Sequence, residues 1–188
     1  TLTKELHHRV KNNMQFIVSI YRLKLAKDLS ENSLSKLREV ENTIYAMSKT
    51  HELLYSKNEF EYITTKHYFE ELVSEIKKGF DTQKIDISLD ISVDLSLKEA
   101  INCGIILNEA ITNSLKHAFK GHRGFIHIKI IQILEKKVFI IEDNGVGFSQ
   151  SQKSSSFGLL LINSLVTDEL KGNIVIESNN GTRIIIEF

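Results

Sequence analysis

Asp143-Asn144-Gly145-Val146-Gly147-Phe148 decides how this chain reads, together with LNEAITNSLKHAF at positions 107–119. An acidic side chain followed by two glycines lets backbone come close to a flat partner, because glycine has no Cβ to hold it away. The upstream segment has a helical pattern and carries Glu109, Asn113, Lys116 and His117. Spacings of four (Glu109 to Asn113) and three (Asn113 to Lys116) put these groups on one helical face. That face joins an amide oxygen suited to Mg²⁺ with an ammonium suited to phosphate. Acid, glycines, amide and ammonium in this order make a nucleotide pocket the most economical reading.

Working outward, the flanking pattern reads as alternating strands and helices. Thr65 to Gly79 is helical, with the glycine as its C-cap. Lys84 to Val93 alternates Ile85, Ile87, Leu89, Ile91 and Val93, the period of a strand with one buried face. Ser96-Leu97-Lys98-Glu99 is a capping box opening a helix that runs through Phe119. Strands follow at Phe125–Leu134 and Lys137–Glu142, and Phe60–Ile63 has the composition of another short one. The Ser-rich segment Ser149–Ser156 reads as a mobile loop, and Phe157–Leu170 as a helix. Asn173–Ser178 and Thr182–Phe188 pair as a hairpin around Asn179-Asn180-Gly181. The irregular alternation predicts an α+β sandwich, helices on one face of a mixed sheet. No GxGxxG or GxxxxGK[ST] occurs, which removes the Rossmann and P-loop readings.

The first part of the chain has a different period. Leu6, Val10, Ile17 and Ile20 form one helical stripe, with Met14, Tyr21 and Leu25 beside it. After a polar turn, Leu37, Val40, Ile44, Met47, His51 and Leu54 step by threes and fours as a heptad seam. Two such helices predict an antiparallel hairpin over 1–57, leaving 58–188 to the sandwich. A lone hairpin cannot bury several stripes, so it should be completed as a four-helix bundle. A two-fold homodimer does this most simply, a monomer being the alternative.

Composition narrows the classes. The 188 residues carry 24 basic and 24 acidic side chains, so no attraction to nucleic acid or anionic lipid is expected. No apolar run reaches the roughly 18 residues that span a bilayer. The one cysteine, Cys103, cannot form an internal disulfide and fits the core of a protein in the reducing cytoplasm. A chain that opens in a helical pattern at Thr1 reads as a fragment lacking its upstream, sensor-bearing portion.

With these residues in place, the second part resembles the ATP-binding domain shared by sensor histidine kinases, type II topoisomerases and related ATPases. LNEAITNSLKHAF is similar to that family's N box, DNGVGF to its first glycine box and SFGLLLI to its second. Gly181-Thr182 before an apolar strand resembles the closing element. KELHHRVKNNMQ, positions 4–15, is similar to the phosphoacceptor segment of the HisKA_2 and HWE-type histidine kinases. The resemblance implies His8 as phosphoacceptor, with Glu5 as the acid preceding it and Arg9, Lys11 and Asn12 as polar companions. His7 is the neighbouring candidate. It further implies ATP and Mg²⁺, with Asn113 on the metal and Lys116 and His117 near the phosphates. Glu109 would lie near the metal and its waters, and Asp143 would accept from the adenine amino group. Gly145, Gly147, Gly158, Leu159 and Thr182 complete the nucleotide set.

The implied activity is autophosphorylation on His8, followed by transfer to an aspartate of a response regulator. A kinase-like ATP-binding scaffold or an ATPase without phosphohistidine is the competing reading. The acceptor is followed by Arg9, not by an acid, so the general base for His8 stays open; Glu5, one turn earlier, is a candidate by position. Asn12, one turn after His8, either orients water for dephosphorylation of the regulator or bridges helices. His117 caps its helix or meets phosphate. Thr182 binds adenine through water or only pairs in the hairpin, and Lys153 in the Ser-rich loop is solvated or reaches the γ-phosphate.

Overall fold

The computed structural model describes residues 64–147 and 157–188, which fall in one compact unit, Tyr62–Phe188. The helical hairpin expected over 1–57, the strand at Phe60–Ile63 and the loop at Ser149–Ser156 lie outside the described residues, as do Glu5, His8 and Asn12.

Helix α1 spans Thr65–Lys78. Thr64 caps it by accepting from the His67 N–H, and Tyr68, Phe69, Leu72, Val73 and Ile76 form its buried stripe at the three-and-four spacing of an amphipathic helix. Gly79 ends the helix with φ −85°, in the right-handed region, so it caps without the left-handed turn that usually selects glycine. The N-terminus of α1 is tied to the loop ahead of the next helix. Thr65 N–H donates to Asp94 Oδ1 at 3.0 Å, and Leu95 N–H donates to Thr65 Oγ1 at 2.7 Å.

Strand β1 is Ile85–Ile91, and helix α2 runs Leu97–Asn113. The capping box is present: Ser96 N–H donates to Glu99 Oε2 at 2.7 Å, while the Ser96 hydroxyl accepts from Glu99 N–H. Strand β2, Gly124–Ile133, lies parallel to β1, and α2 is the crossover that this geometry demands. Strand β3 (Lys136–Asp143) turns back antiparallel, and β4 (Asn173–Ser178) and β5 (Thr182–Glu187) form the final hairpin. Helix α3, Phe157–Ser164, precedes that hairpin. The sheet order is β1-β2-β3-β5-β4, mixed as expected.

Inward residues are in register across the sheet. Ile128 pairs with Ile141, which pairs with Ile184; Ile130 pairs with Phe139, which pairs with Ile186. All six are buried, together with Ile106, Leu107 and Ile111 of α2 and Ile162 of α3. Phe69 of α1 stacks obliquely on Phe139, ring centroids 5.9 Å apart. Cys103 sits fully buried in α2, and burial pushes its thiol well above the ordinary range, so it is packing and not a nucleophile.

Both α2 and α3 end in a wider turn that the sequence pattern did not reveal. Ser114–Ala118 and Leu165–Glu169 are π-helical, so residues expected to continue one helical face are rotated off it.

Candidate nucleotide site

The site begins where the apolar rows of the sheet stop. Strand alternation brings Phe139, then Ile141, then Asp143 to the same face, so the carboxylate occupies the next inward position after two core residues. Its row across the sheet is Ile126, Asp143, Thr182 and Ser178. Asp143 is only 8% exposed, and every hydrogen bond assigned to its carboxylate comes from a neutral donor. Gly145 N–H reaches Oδ1 at 2.9 Å, Thr182 N–H reaches Oδ1 at 3.2 Å, and the Ser114 hydroxyl reaches Oδ2 at 2.7 Å. Three donors from three elements, the end of α2, the loop after β3 and the start of β5, therefore converge on one acid.

The glycine loop is seated on the end of α2. Val146 N–H donates to the Ala118 carbonyl at 2.9 Å, and Asn144 Oδ1 accepts from Phe125 N–H at 2.8 Å. A Cβ at Gly145 would lie 2.6 Å from the Ala118 carbonyl oxygen. Gly147 has φ +67°, and a Cβ there would lie 2.9 Å from the Gly181 carbonyl oxygen. The close approaches that exclude side chains at these glycines, to Ala118 at Gly145 and to Ser178 and Gly181 at Gly147, are thus to the protein itself, which fixes the loop beside Asp143.

The remaining expected residues divide by element. Glu109 is buried within α2, and Asn113, half-buried, closes that helix. Lys116 and His117 stand exposed on the π-helical turn that follows. Gly158 is buried and Leu159 half-buried in the first turn of α3. Thr182 joins Asp143 both through the sheet register and through its N–H. Acid, glycine loop and Thr182 are brought into contact; Glu109 and Asn113 share α2 with the turn that ends against that loop. Lys153 lies outside the described residues.

Ser114 is the site residue that sequence reasoning missed. It stands next to Asn113 in the motif, but a serine inside a helix ordinarily folds its hydroxyl back onto its own backbone. Only the sheet register, which aims Asp143 at the end of α2, reveals its partner.

The buried carboxylate is held by backbone amides and one hydroxyl, and as an acceptor-only group with about four acceptor positions it keeps capacity for a further donor. Among the described residues no group of three His, Cys, Asp or Glu could hold a metal ion. Likewise none of the described helices is long and apolar enough to cross a membrane.

Comparison with known proteins agrees with this geometry. Residues 5–80 match the HisKA_2 histidine kinase family, and residues 99–188 match the histidine kinase-, DNA gyrase B- and HSP90-like ATPases. The first match runs beyond residue 57 and takes in α1. The sensor histidine kinase PdtaS of Mycolicibacterium smegmatis is 26% identical over 196 residues, covering 97% of this chain and 38% of its own length. The chain therefore spans about two fifths of that relative. The kinase/phosphatase DegS of Brevibacillus brevis is 42% identical over 86 residues, 44% of this chain and 21% of its own. Among solved structures, the histidine kinase domain of the Erythrobacter litoralis EL346 blue-light activated histidine kinase aligns with TM-score 0.69 at 22% identity, covering 99% of this chain and 89% of its own. At that identity the likeness speaks for the fold. The two family matches occur in the order expected from the acceptor segment and the nucleotide boxes, and together they take up most of the sequence. The chain belongs to the histidine kinases of the HisKA_2 type, and its second part is an ATP-binding unit of the gyrase B and HSP90 kind.

Proposed function

We propose that this chain is the catalytic core of a sensor histidine kinase that autophosphorylates on His8 and passes the phosphoryl group to an aspartate of a response regulator. The observation that carries the reading is the succession of a HisKA_2 match containing His8-Arg9-Val10-Lys11-Asn12 and an ATPase match whose acid, Asp143, is buried and held by donors. A scaffold or an ATPase without phosphohistidine would have no use for a full acceptor motif ahead of the pocket, so that alternative is not favoured. The packing of α1 on α2 and β1 supports placing α1 with the ATP-binding domain, whose compact unit begins at Tyr62, four residues after the expected division at 57/58.

In this account Asp143 accepts from the adenine amine, and Gly145 and Gly147 hold the loop that flanks the base. Asn113 would supply an amide oxygen to Mg²⁺, an ion that proteins ordinarily hold through one or two side chains together with substrate phosphates and water. Bound Mg²⁺ would neutralise charge on the phosphates during transfer. Lys116 and His117 lie one turn beyond Asn113 for the phosphates, and the first turn of α3, with Gly158 and Leu159, offers amides without helical partners. Glu109 stands one turn before Asn113 on α2, near the metal and its waters. The neutral His8 imidazole attacks phosphorus through a ring nitrogen; a P–N bond forms, the bond from phosphorus to the bridging oxygen breaks, and ADP leaves. The proton on the other ring nitrogen is then released, and Glu5, three positions before His8 in sequence, is the candidate to take it.

Asn12 serves the reverse task, orienting water against the regulator's phosphoaspartate. The hairpin expected over 1–57 pairs with a second copy to complete a four-helix bundle, and this portion of the protein works in the cytoplasm. Incubating the chain with γ-labelled ATP and Mg²⁺ tests the reading. A label that is acid-labile and base-stable supports it; a label stable to acid, or none although ATP binds, contradicts it.

A further inference from the structure

Lys78, Lys98, Lys129, Lys136, Lys137 and Arg183 each lie within 3.4 Å of a carboxylate oxygen. Lys84, Lys116, Lys120 and Arg123 do not: all are exposed, and none forms an ion pair among the described residues. The sheet gathers them at the edge where the nucleotide site lies. β1 and β2 run parallel with Ile85 opposite Gly124, so Lys84 and Arg123 precede the two strands side by side. Gly124 N–H donates to the Lys84 carbonyl at 3.1 Å, and Lys84 Nζ donates to the Gly121 carbonyl at 3.2 Å. Antiparallel β3 ends at the same edge, with Asp143 opposite Ile126.

The residues on either side of the Lys120–Arg123 loop meet the glycine loop. Ala118 accepts from Val146 N–H, and a Cβ at Gly124 would lie 2.9 Å from Asn144 Oδ1. No Asp or Glu occurs from Ala110 through Leu134. Against the cations this edge sets Asp81, Asp86 and the buried Asp143, so positive charge is in excess. We propose that Lys120 and Arg123, on a loop that Lys84 holds, steer the polyphosphate of an adenine nucleotide towards the pocket and favour the more highly charged nucleotide, touching neither once it is bound. The inference rests on the reading of this site as the ATP pocket.

The chain as a whole is neutral, so no global attraction masks a local field. An exposed cation adds little to a formed complex, because water and salt screen a single pair. In the encounter, several cations act together over a Debye length, about 8 Å at physiological salt. Fields of this kind raise association rates by about tenfold or more. The gain grows with ligand charge, so ATP enters faster than ADP although both present the same base. Lys120 and Arg123 thus act on arrival and leave departure unchanged, which separates them from Lys116 and His117, assigned to the phosphates themselves.

The test is stopped-flow binding of fluorescent ATP and ADP, carrying the same fluorophore, to the full chain with Mg²⁺, at ionic strengths giving Debye lengths of about 30 Å and about 3 Å. The parent's association rate for ATP should fall about tenfold between the two, and that for ADP by less. Lys120→Gln with Arg123→Gln should remove most of that fall and slow ATP association severalfold at low salt, with dissociation unchanged. Lys66→Gln in α1 with Lys171→Gln ahead of β4, an equal change of charge on other elements, should leave the rates alone. A parent rate indifferent to salt, a Lys120 and Arg123 variant with the parent's rates, an equal loss in both double variants, or a change seen only in dissociation overturns the inference and leaves the ATP reading intact. A parent that binds neither nucleotide overturns both.

Discussion

Val146 donates its backbone N–H to the carbonyl of Ala118 at 2.9 Å, joining the glycine loop after β3 to the turn that ends α2. Two motifs some 30 residues apart in sequence are thereby one object in space. The loop cannot shift without the helix end, and the helix end carries Lys116 and His117.

This contact predicts unequal costs for two glycines. Gly145→Ala would set a methyl group 2.6 Å from the Ala118 carbonyl oxygen, so it should destabilise the domain by about 1–3 kcal/mol and weaken ATP binding. Gly79→Ala meets only the Ile76 carbonyl at 3.6 Å, at a right-handed φ of −85°, and should be neutral or stabilising by about 0.5 kcal/mol. Urea denaturation of both variants checks the contrast; equal losses would contradict it.

Asp143→Asn replaces an acceptor-only group by one that also donates. The preference for ATP over GTP should fall, and some stability should be lost because three donors converge on this side chain. An unchanged preference in competition binding would show that the base is read elsewhere. Asn113→Ala should weaken nucleotide binding in the presence of Mg²⁺ far more than in its absence.

Glu99 makes stability depend on acid. Burial alone would raise its pKa, but the hydrogen bonds from Lys137 Nζ at 2.7 Å and from Ser96 N–H outweigh it and hold the carboxyl below its ordinary value of 4.5. A group depressed in the folded state stabilises above its unfolded pKa and ceases to do so as pH falls through the folded one. Glu99→Gln keeps the capping box but loses the charge on the Lys137 pair, so it should cost up to about 1 kcal/mol at pH 7, and the difference from the parent should shrink once pH drops below about 4.5. A difference constant down to pH 3 in thermal melts would contradict this.

Asn12→Ala should slow dephosphorylation of a cognate regulator more than it slows phosphorylation of His8. Equal loss of both rates, followed with phosphorylated receiver domain, would assign Asn12 to helix packing alone.

Much of the fold was legible because its signals are local. The alternation from Ile85 to Ile91, the Ser96–Glu99 box and the Asn180-Gly181 turn each specify geometry within a few residues, and the structure has all three. The π-helical turns were not legible, since Ser114–Ala118 has the composition of ordinary helix and nothing local marks it as the turn on which the loop at Gly145 is seated. Strand order was also hidden, because the parallel pairing of β1 with β2 depends on how α2 crosses. The acid, amide and glycines of the site announced themselves by motif. Ser114 did not, because its role rests on a register between elements.

Labelling of three chains side by side tests the central claim most directly: parent, His8→Gln and His7→Gln, each incubated with γ-labelled ATP and Mg²⁺ and each measured for equilibrium ATP affinity. The account predicts an acid-labile label on the parent and on His7→Gln, none on His8→Gln, and the same ATP affinity in all three. Label persisting on His8→Gln would contradict the assignment of His8 as the phosphoacceptor.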